Sequence, residues 1–148
     1  MALTATGVAS ADPLVGVASV IDGDTIEIHA TRIRFNGIDA PEARQLCSRD
    51  GKPWRCGSDA ANALDTFLDR RTVSCERKGT DRYKRVVGRC QVDGMDLNTW
   101  MVRNGWAVDY ERYSKGEYQQ AQEAAARERV GIWASTFVMP WDWRKGAR

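Results

Sequence analysis

The side chains best suited to act together chemically are Asp24, Asp39, Glu42 and Arg34. Asp24 stands where a first hairpin turns, and Asp39 stands just past a third strand. Two hard, anionic carboxylate groups brought to one point suit a calcium or magnesium ion. Glu42 follows three residues after Asp39, behind the stiff Pro41, and a third carboxylate there could take a proton from water. Arg34 lies on the strand leading into this loop. Its neighbour Phe35 reads as a core residue, so Arg34 points to the other side, where a phosphate would be clamped between guanidinium and metal. Taken singly these residues are ordinary, since aspartates form turns and arginines decorate strand ends. They become a site only if the chain brings them together.

The elements that must do so can be read from the pattern. Leu14–Ile21 alternates loosely with β-branched residues, Asp22-Gly23-Asp24 makes a tight turn, and Thr25–His29 alternates apolar and polar side chains as a half-buried strand does. Arg32–Phe35 continues into a third strand ending near Gly37. Antiparallel pairing of the second and third strands sets the start of one beside the end of the other, which carries Asp24 and Asp39 to the same end of the sheet. Residues 39–57, with Pro41, Gly51, Pro53 and Gly57, read as a loop. Ser58 is expected to cap a helix whose Ala61, Leu64, Phe67 and Leu68 share a face. Strands follow at Thr72–Arg77 and Arg85–Val92, then a short helix from Leu97 to Asn104 stopped by Gly105. A longer helix is expected from Ser114, with Glu117 completing a capping box, Glu123 pairing with Arg127, and Gly131 ending it. This order of elements predicts an α+β, mainly β fold: a five-stranded OB-type barrel with three helices. Residues 1–12 read as a flexible leader or signal-peptide remnant, 13–135 as the folded domain and 136–148 as a Trp-rich tail.

Composition bounds the partners. The 148 residues carry a net charge of only +2, so any polyanion site must come from local clustering. Such clustering occurs in the segment with Arg77, Lys78, Arg82, Lys84, Arg85 and Arg89 against the single acid Asp81. Nothing approaches the roughly 20 apolar residues of a membrane span. Cys47, Cys56, Cys75 and Cys90 contain no C-x-x-C spacing, which argues against a thiolate zinc site. An even count suits two disulfides and an oxidising compartment. Cys75 and Cys90 fall on neighbouring strands, and Cys47 with Cys56 would staple the long loop. Ala9-Ser10-Ala11 looks like the small-residue end of a signal peptide, so a periplasmic or secreted location is expected. Trp133, Trp141 and Trp143 crowd near the C-terminus and read as packing residues, and the lone His29 reads as a surface side chain in mid-strand.

The stretches V-I-D-G-D-T, R-I-R-F-N-G-I-D-A-P-E, T-D-R-Y-K-R and G-I-W, in that order, resemble the staphylococcal nuclease (thermonuclease) family from about Leu14 to Trp133. The resemblance implies calcium ligands at Asp24, Asp39 and the main-chain carbonyl of Ala40, with Asp22 tuning the site through water. It implies Glu42 as general base and Arg34 and Arg85 as phosphate-binding arginines. Tyr83, with Lys84 beside it, would help hold the substrate near its phosphate, and Tyr113 and Tyr110 would contact bases. The implied activity is hydrolysis of DNA and RNA by a monomer, endonucleolytic and leaving 3′-phosphates. The rival reading is an OB barrel that grips single-stranded nucleic acid or oligosaccharide without cutting it. Residues 45–57, with two cysteines and Trp54, depart from the type member of the family and border the expected site.

Overall fold

In a computed structural model that describes residues 12–148, the chain orders its elements as follows. The first half forms strands β1 (Leu14–Val17), β2 (Ser19–Asp22), β3 (Thr25–Ile28), β4 (Thr31–Phe35), β5 (Ile38–Asp39), β6 (Cys47–Arg49) and β7 (Lys52–Trp54), then helix α1 (Cys56–Leu68). The second half forms β8 (Thr72–Thr80), β9 (Val86–Val92), β10 (Met95–Asp96), α2 (Leu97–Arg103), β11 (Val108–Asp109), α3 (Glu111–Ser114) and α4 (Gln119–Glu128). A 3-10 turn at Gly131–Ala134 and helix α5 (Pro140–Arg144) close it. Ala9-Ser10-Ala11 lies outside the described residues.

The main sheet runs β1-β8-β9-β4-β3-β2, with β10 added beside β9. Its two ends, β1 and β2, are halves of one segment broken at Ala18, so the sheet curls round on itself. The β4–β9 pair is parallel and the other pairs are antiparallel. This is the expected OB-like, mainly β arrangement, its five strands being 14–22, 25–28, 31–35, 72–80 and 86–92. Alternation aims Ile26, Ile28, Ile33, Phe35, Val73 and Val92 inward, where they meet Leu64 and Leu68 of α1 and Leu97 and Met101 of α2. Each of these fully buried side chains contributes about 1.5–3 kcal/mol through burial.

Cys75 stands directly opposite Cys90 in the β8–β9 register and is bridged to it; Cys47 is bridged to Cys56. Both bridges are the expected ones, and they fit an oxidising compartment. Among the described residues no helix is long and apolar enough to cross a membrane.

Several local expectations give way to packing. Helix α1 starts at Cys56, not after Ser58, and Arg55 before it offers no side-chain cap. The Cys47–Cys56 bridge and close packing at Gly57 set its first turn, overriding cap chemistry; a Cβ on Gly57 would lie 1.7 Å from the Glu42 carbonyl oxygen. Ala60, Leu64 and Leu68 form its buried stripe, with Ala61 and Phe67 on the flanks. The long loop is not featureless: β6 and β7 pair as a hairpin that ends at the first bridge. Ser114 opens no long helix. It closes α3, its hydroxyl donates to Asp109, and Gly116 N–H donates to it at 2.9 Å, so the buried Asp109 outcompetes the capping box. Glu117 pairs with Arg89 at 2.7 Å, and Glu123 accepts from Gln119 at 3.1 Å instead of meeting Arg127. His29 lies past the end of β3, exposed in a turn with φ of 48°, not in mid-strand.

Candidate active site around Asp24 and Asp39

The site is built from two chain segments that the sheet register forces together. In the β3–β4 pair Thr25 faces Arg34, and the Phe35 N–H donates to the Asp24 carbonyl at 2.8 Å. The β2–β3 turn therefore sits against the end of β4. Gly23 allows the turn to press closely on the next segment, since a Cβ there would come within 2.8 Å of the Ala40 Cβ. Short strand β5 is held from its other side by β11, where Val108 faces Asp39.

The expected residues Asp22, Asp24, Arg34, Asp39, Ala40 and Glu42 converge here. Asp24 is buried and well held: the Ala40 N–H donates to its Oδ2 at 2.8 Å and the Thr25 hydroxyl to its Oδ1 at 3.1 Å. Arg34 lies between the acids, 3.3 Å from Asp24 Oδ2 and 3.3 Å from Asp39 Oδ1. It also donates to the carbonyls of Phe35 at 3.0 Å and Ile38 at 2.8 Å, which fixes the guanidinium plane. Asp22 accepts the Asp24 N–H at 3.1 Å. Arg144, from helix α5, spans the outer side: it donates to Asp39 Oδ1 at 2.9 Å, Asp39 Oδ2 at 2.7 Å and Glu42 Oε1 at 2.8 Å.

Burial and mutual repulsion separate the three aspartates. Burial, reinforced by the Asp24 carboxylate, pushes Asp22 up to about 8. Burial also opposes ionisation of Asp24, but Arg34 and the donors from Asp22, Ala40 and Thr25 outweigh it and hold Asp24 below the usual carboxylate range. Asp39 is pushed up to about 6, because burial outweighs the bonds from Arg144 and Arg34.

The donor set consists of hard carboxylate and main-chain oxygens, and its acids already face guanidinium groups, so it is chemically fit for a hard cation. Among the described residues no three His, Cys, Asp or Glu side chains are grouped closely enough to hold a metal by themselves. Two carboxylates would therefore need main-chain or water oxygens to complete a shell.

Residues 32–135 match the model of the family described as staphylococcal nuclease homologue. The chain belongs to the staphylococcal nuclease family, a family of nuclease hydrolases. It is 48% identical over 127 residues to a succinoglycan biosynthesis protein of Rhizobium meliloti, covering 84% of this chain and 66% of that protein. It is 36% identical over 135 residues to an uncharacterized endonuclease of Escherichia coli, covering 86% and 82%. A staphylococcal-like nuclease of Arabidopsis thaliana is 33% identical over 119 residues, 79% of this chain and 34% of the plant protein.

Other residues expected from staphylococcal nuclease resemblance lie outside the acid cluster. Val87 faces Arg34 in the parallel β4–β9 pair, and Arg85, two residues before Val87, shares its side of the sheet. Its guanidinium, however, is held by Asp81 at 2.7 Å. Tyr83 and Lys84 occupy the exposed β8–β9 connection, and the Tyr83 ring lies beneath Arg82 and Arg85. Tyr110 and Tyr113 follow β11 and meet edge-to-face. Trp141 of α5 stacks on Tyr110, with ring centroids 5.0 Å apart and planes 13° apart.

Sequence reasoning missed Arg144 and left the tail without a role. The available signal was local: Pro140 at the first helical position, followed by Trp141 and Arg144 one turn apart on a single face.

Proposed function

We propose that this family member is a calcium-dependent nuclease that hydrolyses phosphodiester bonds of both DNA and RNA at the Asp24–Asp39 cluster. The observation that carries the reading is the joint grip of Asp24 and Asp39 on Arg34 with Glu42 alongside, since phosphate clamp, cation ligands and base then share one edge. Asp24, Asp39 and the Ala40 carbonyl would hold the ion, with Asp22 acting through water. Bound there, calcium would supply Lewis-acid charge stabilisation to the phosphoryl oxygens.

The remaining roles belong to side chains. Arg34, already oriented by two main-chain carbonyls, would hold a non-bridging oxygen of the scissile phosphate. Arg85 would turn from Asp81 to hold another. Glu42, side chain 31% exposed, would accept a proton from the water attacking phosphorus in line. Negative charge grows on the phosphoryl oxygens in the five-coordinate transition state, where the two guanidiniums stabilise it. Tyr83 and Lys84 would steady the strand near its phosphate, and Tyr110 and Tyr113 its bases. Family resemblance supports endonucleolytic cutting with 3′-phosphate products; the disulfides support a periplasmic or secreted enzyme.

One observation favours a second reading. The Rhizobium meliloti relative is named for succinoglycan biosynthesis, which suits an OB barrel that holds an oligosaccharide without cutting nucleic acid. Defined DNA and RNA oligonucleotides, incubated with calcium and then with chelator, separate the two. The nuclease reading expects calcium-dependent cleavage with 3′-phosphate ends on both substrates. Intact oligonucleotides in saturating calcium would reject it.

A further inference from the structure

Both oxygens of Asp39 and one of Glu42 are held by a single group from the far end of the chain. Arg144 makes bonds of 2.7–2.9 Å to these atoms, while its own side chain remains 37% exposed. Asp39 itself is fully buried, so the guanidinium forms the solvent-side layer over it. The approach is anchored. Thr136 exchanges main-chain hydrogen bonds with Ser48 at 2.8 Å each way, and Gln45 Nε2 donates to the Val138 carbonyl at 2.7 Å. Pro140 then starts α5, whose next residue, Trp141, lies flat on Tyr110. The tail is thus fastened before α5 and within it, with a cation on the carboxylates and an aromatic ring on the tyrosine.

We propose that α5 is a built-in strap in which Arg144 acts as an internal cation, competing with calcium for Asp39 and tying Glu42 back from the water it would activate, while Trp141 covers the Tyr110 face that a base would stack on. This rests on the calcium-site reading above. A divalent ion bound to Asp39 would stand within a few ångströms of the guanidinium, and like charges so close repel. One of the two cations must give way. Arg144 is the movable one, because a long, partly exposed side chain on a five-residue helix can swing out while Thr136 and Val138 stay anchored. In the absence of calcium the strap neutralises the acids and shields the aromatic face. Calcium binding releases it and opens the aromatic face to a base.

Calcium titration by calorimetry on the full chain tests this, with Arg144→Gln, Arg144→Lys and Arg148→Gln as variants. Arg148 belongs to the same tail; among the described residues it donates only to the Trp143 and Ala147 carbonyls and lies over the Trp143 ring, so it controls for general loss of positive charge. Direct competition predicts that Arg144→Gln binds calcium about tenfold or more tightly than wild type, the scale of a lost charged hydrogen-bonded pair. Arg144→Lys, which keeps the charge but loses the two-pronged grip, should fall between, and Arg148→Gln should match wild type. Tryptophan fluorescence should change on calcium addition in the wild type as Trp141 leaves Tyr110. Equal calcium affinity in wild type and Arg144→Gln would overturn the strap and leave the calcium site standing. Equal tightening in Arg144→Gln and Arg148→Gln would also overturn it, by reducing the effect to bulk charge. No calcium binding by any variant would remove both the strap and the calcium reading.

Discussion

Arg34 has two jobs that pull on different measurements. Its guanidinium is the counter-charge for buried Asp24 and Asp39, and it is also the proposed phosphate clamp. Removing it strips buried Asp24 of this counter-charge and leaves Asp39 to Arg144, and breaking a buried pair typically costs about 3–5 kcal/mol. Arg34→Ala should therefore melt well below wild type in chelator, recover part of that loss in calcium, and still turn over about 10²–10³ times more slowly. Melting curves with and without calcium, beside initial rates, check both halves. Glu42→Gln separates chemistry from binding: calcium affinity should hold while the rate falls, and an unchanged rate would remove Glu42 from the mechanism. The aspartates add a pH signature. Asp39 and Asp22 ionise at about 6 and about 8 in the fold against 3.8 unfolded, so folding favours their protonated forms. Their contribution is complete below about pH 4 and is lost as pH rises through about 6 and then about 8. Without calcium, melting temperature should fall over that interval, and Asp22→Asn should flatten the upper part. Asp24, held low by Arg34, has the opposite sign and matters only in acid.

At the scale of elements, the site depends on backbone approaches that side-chain substitutions elsewhere can disturb. Gly57 packs against the Glu42 carbonyl so closely that any Cβ forces the two apart. Gly57→Ala should cost about 1–3 kcal/mol of stability through overpacking and should slow hydrolysis by moving Glu42, without touching a side chain of the site. A Cys75→Ala, Cys90→Ala double variant should lose about 3 kcal/mol through the freed unfolded chain, read as a lower denaturation midpoint, with activity kept at low temperature. Elements whose information is local were legible from the sequence: the Asp22-Gly23-Asp24 turn, the alternating strands around it, and helix α2 before Gly105. The β6–β7 hairpin was not, because Gly51, Pro53 and flanking charges read as loop, and the pairing is fixed by a bridge and by Thr136. The cap at Ser114 misled for a related reason. A serine beside a buried aspartate gains more from Asp109 than from opening a helix.

Across the whole molecule, the acids and Arg34 could be found because strand pairing converts sequence alternation into spatial neighbours. Arg144 could be placed on a short helix but not beside the acids, because it meets Asp39 across 105 residues and no periodicity reports so distant a contact. Arg85 lies between these cases: register sets it on the Arg34 side of the sheet, but its guanidinium rests on Asp81. Asp39 is where the account converges, touched by Arg34 from within and Arg144 from outside, and proposed to hold the ion. The most direct test is the calcium-dependent cleavage rate of one defined DNA oligonucleotide by Asp39→Asn beside wild type, both shown to be folded. The isosteric loss of one charge should lower the rate at least about a hundredfold, the scale of removing one transition-state contact, with partial recovery as calcium is raised. An Asp39→Asn protein that cuts at the wild-type rate, at the same calcium, would contradict it.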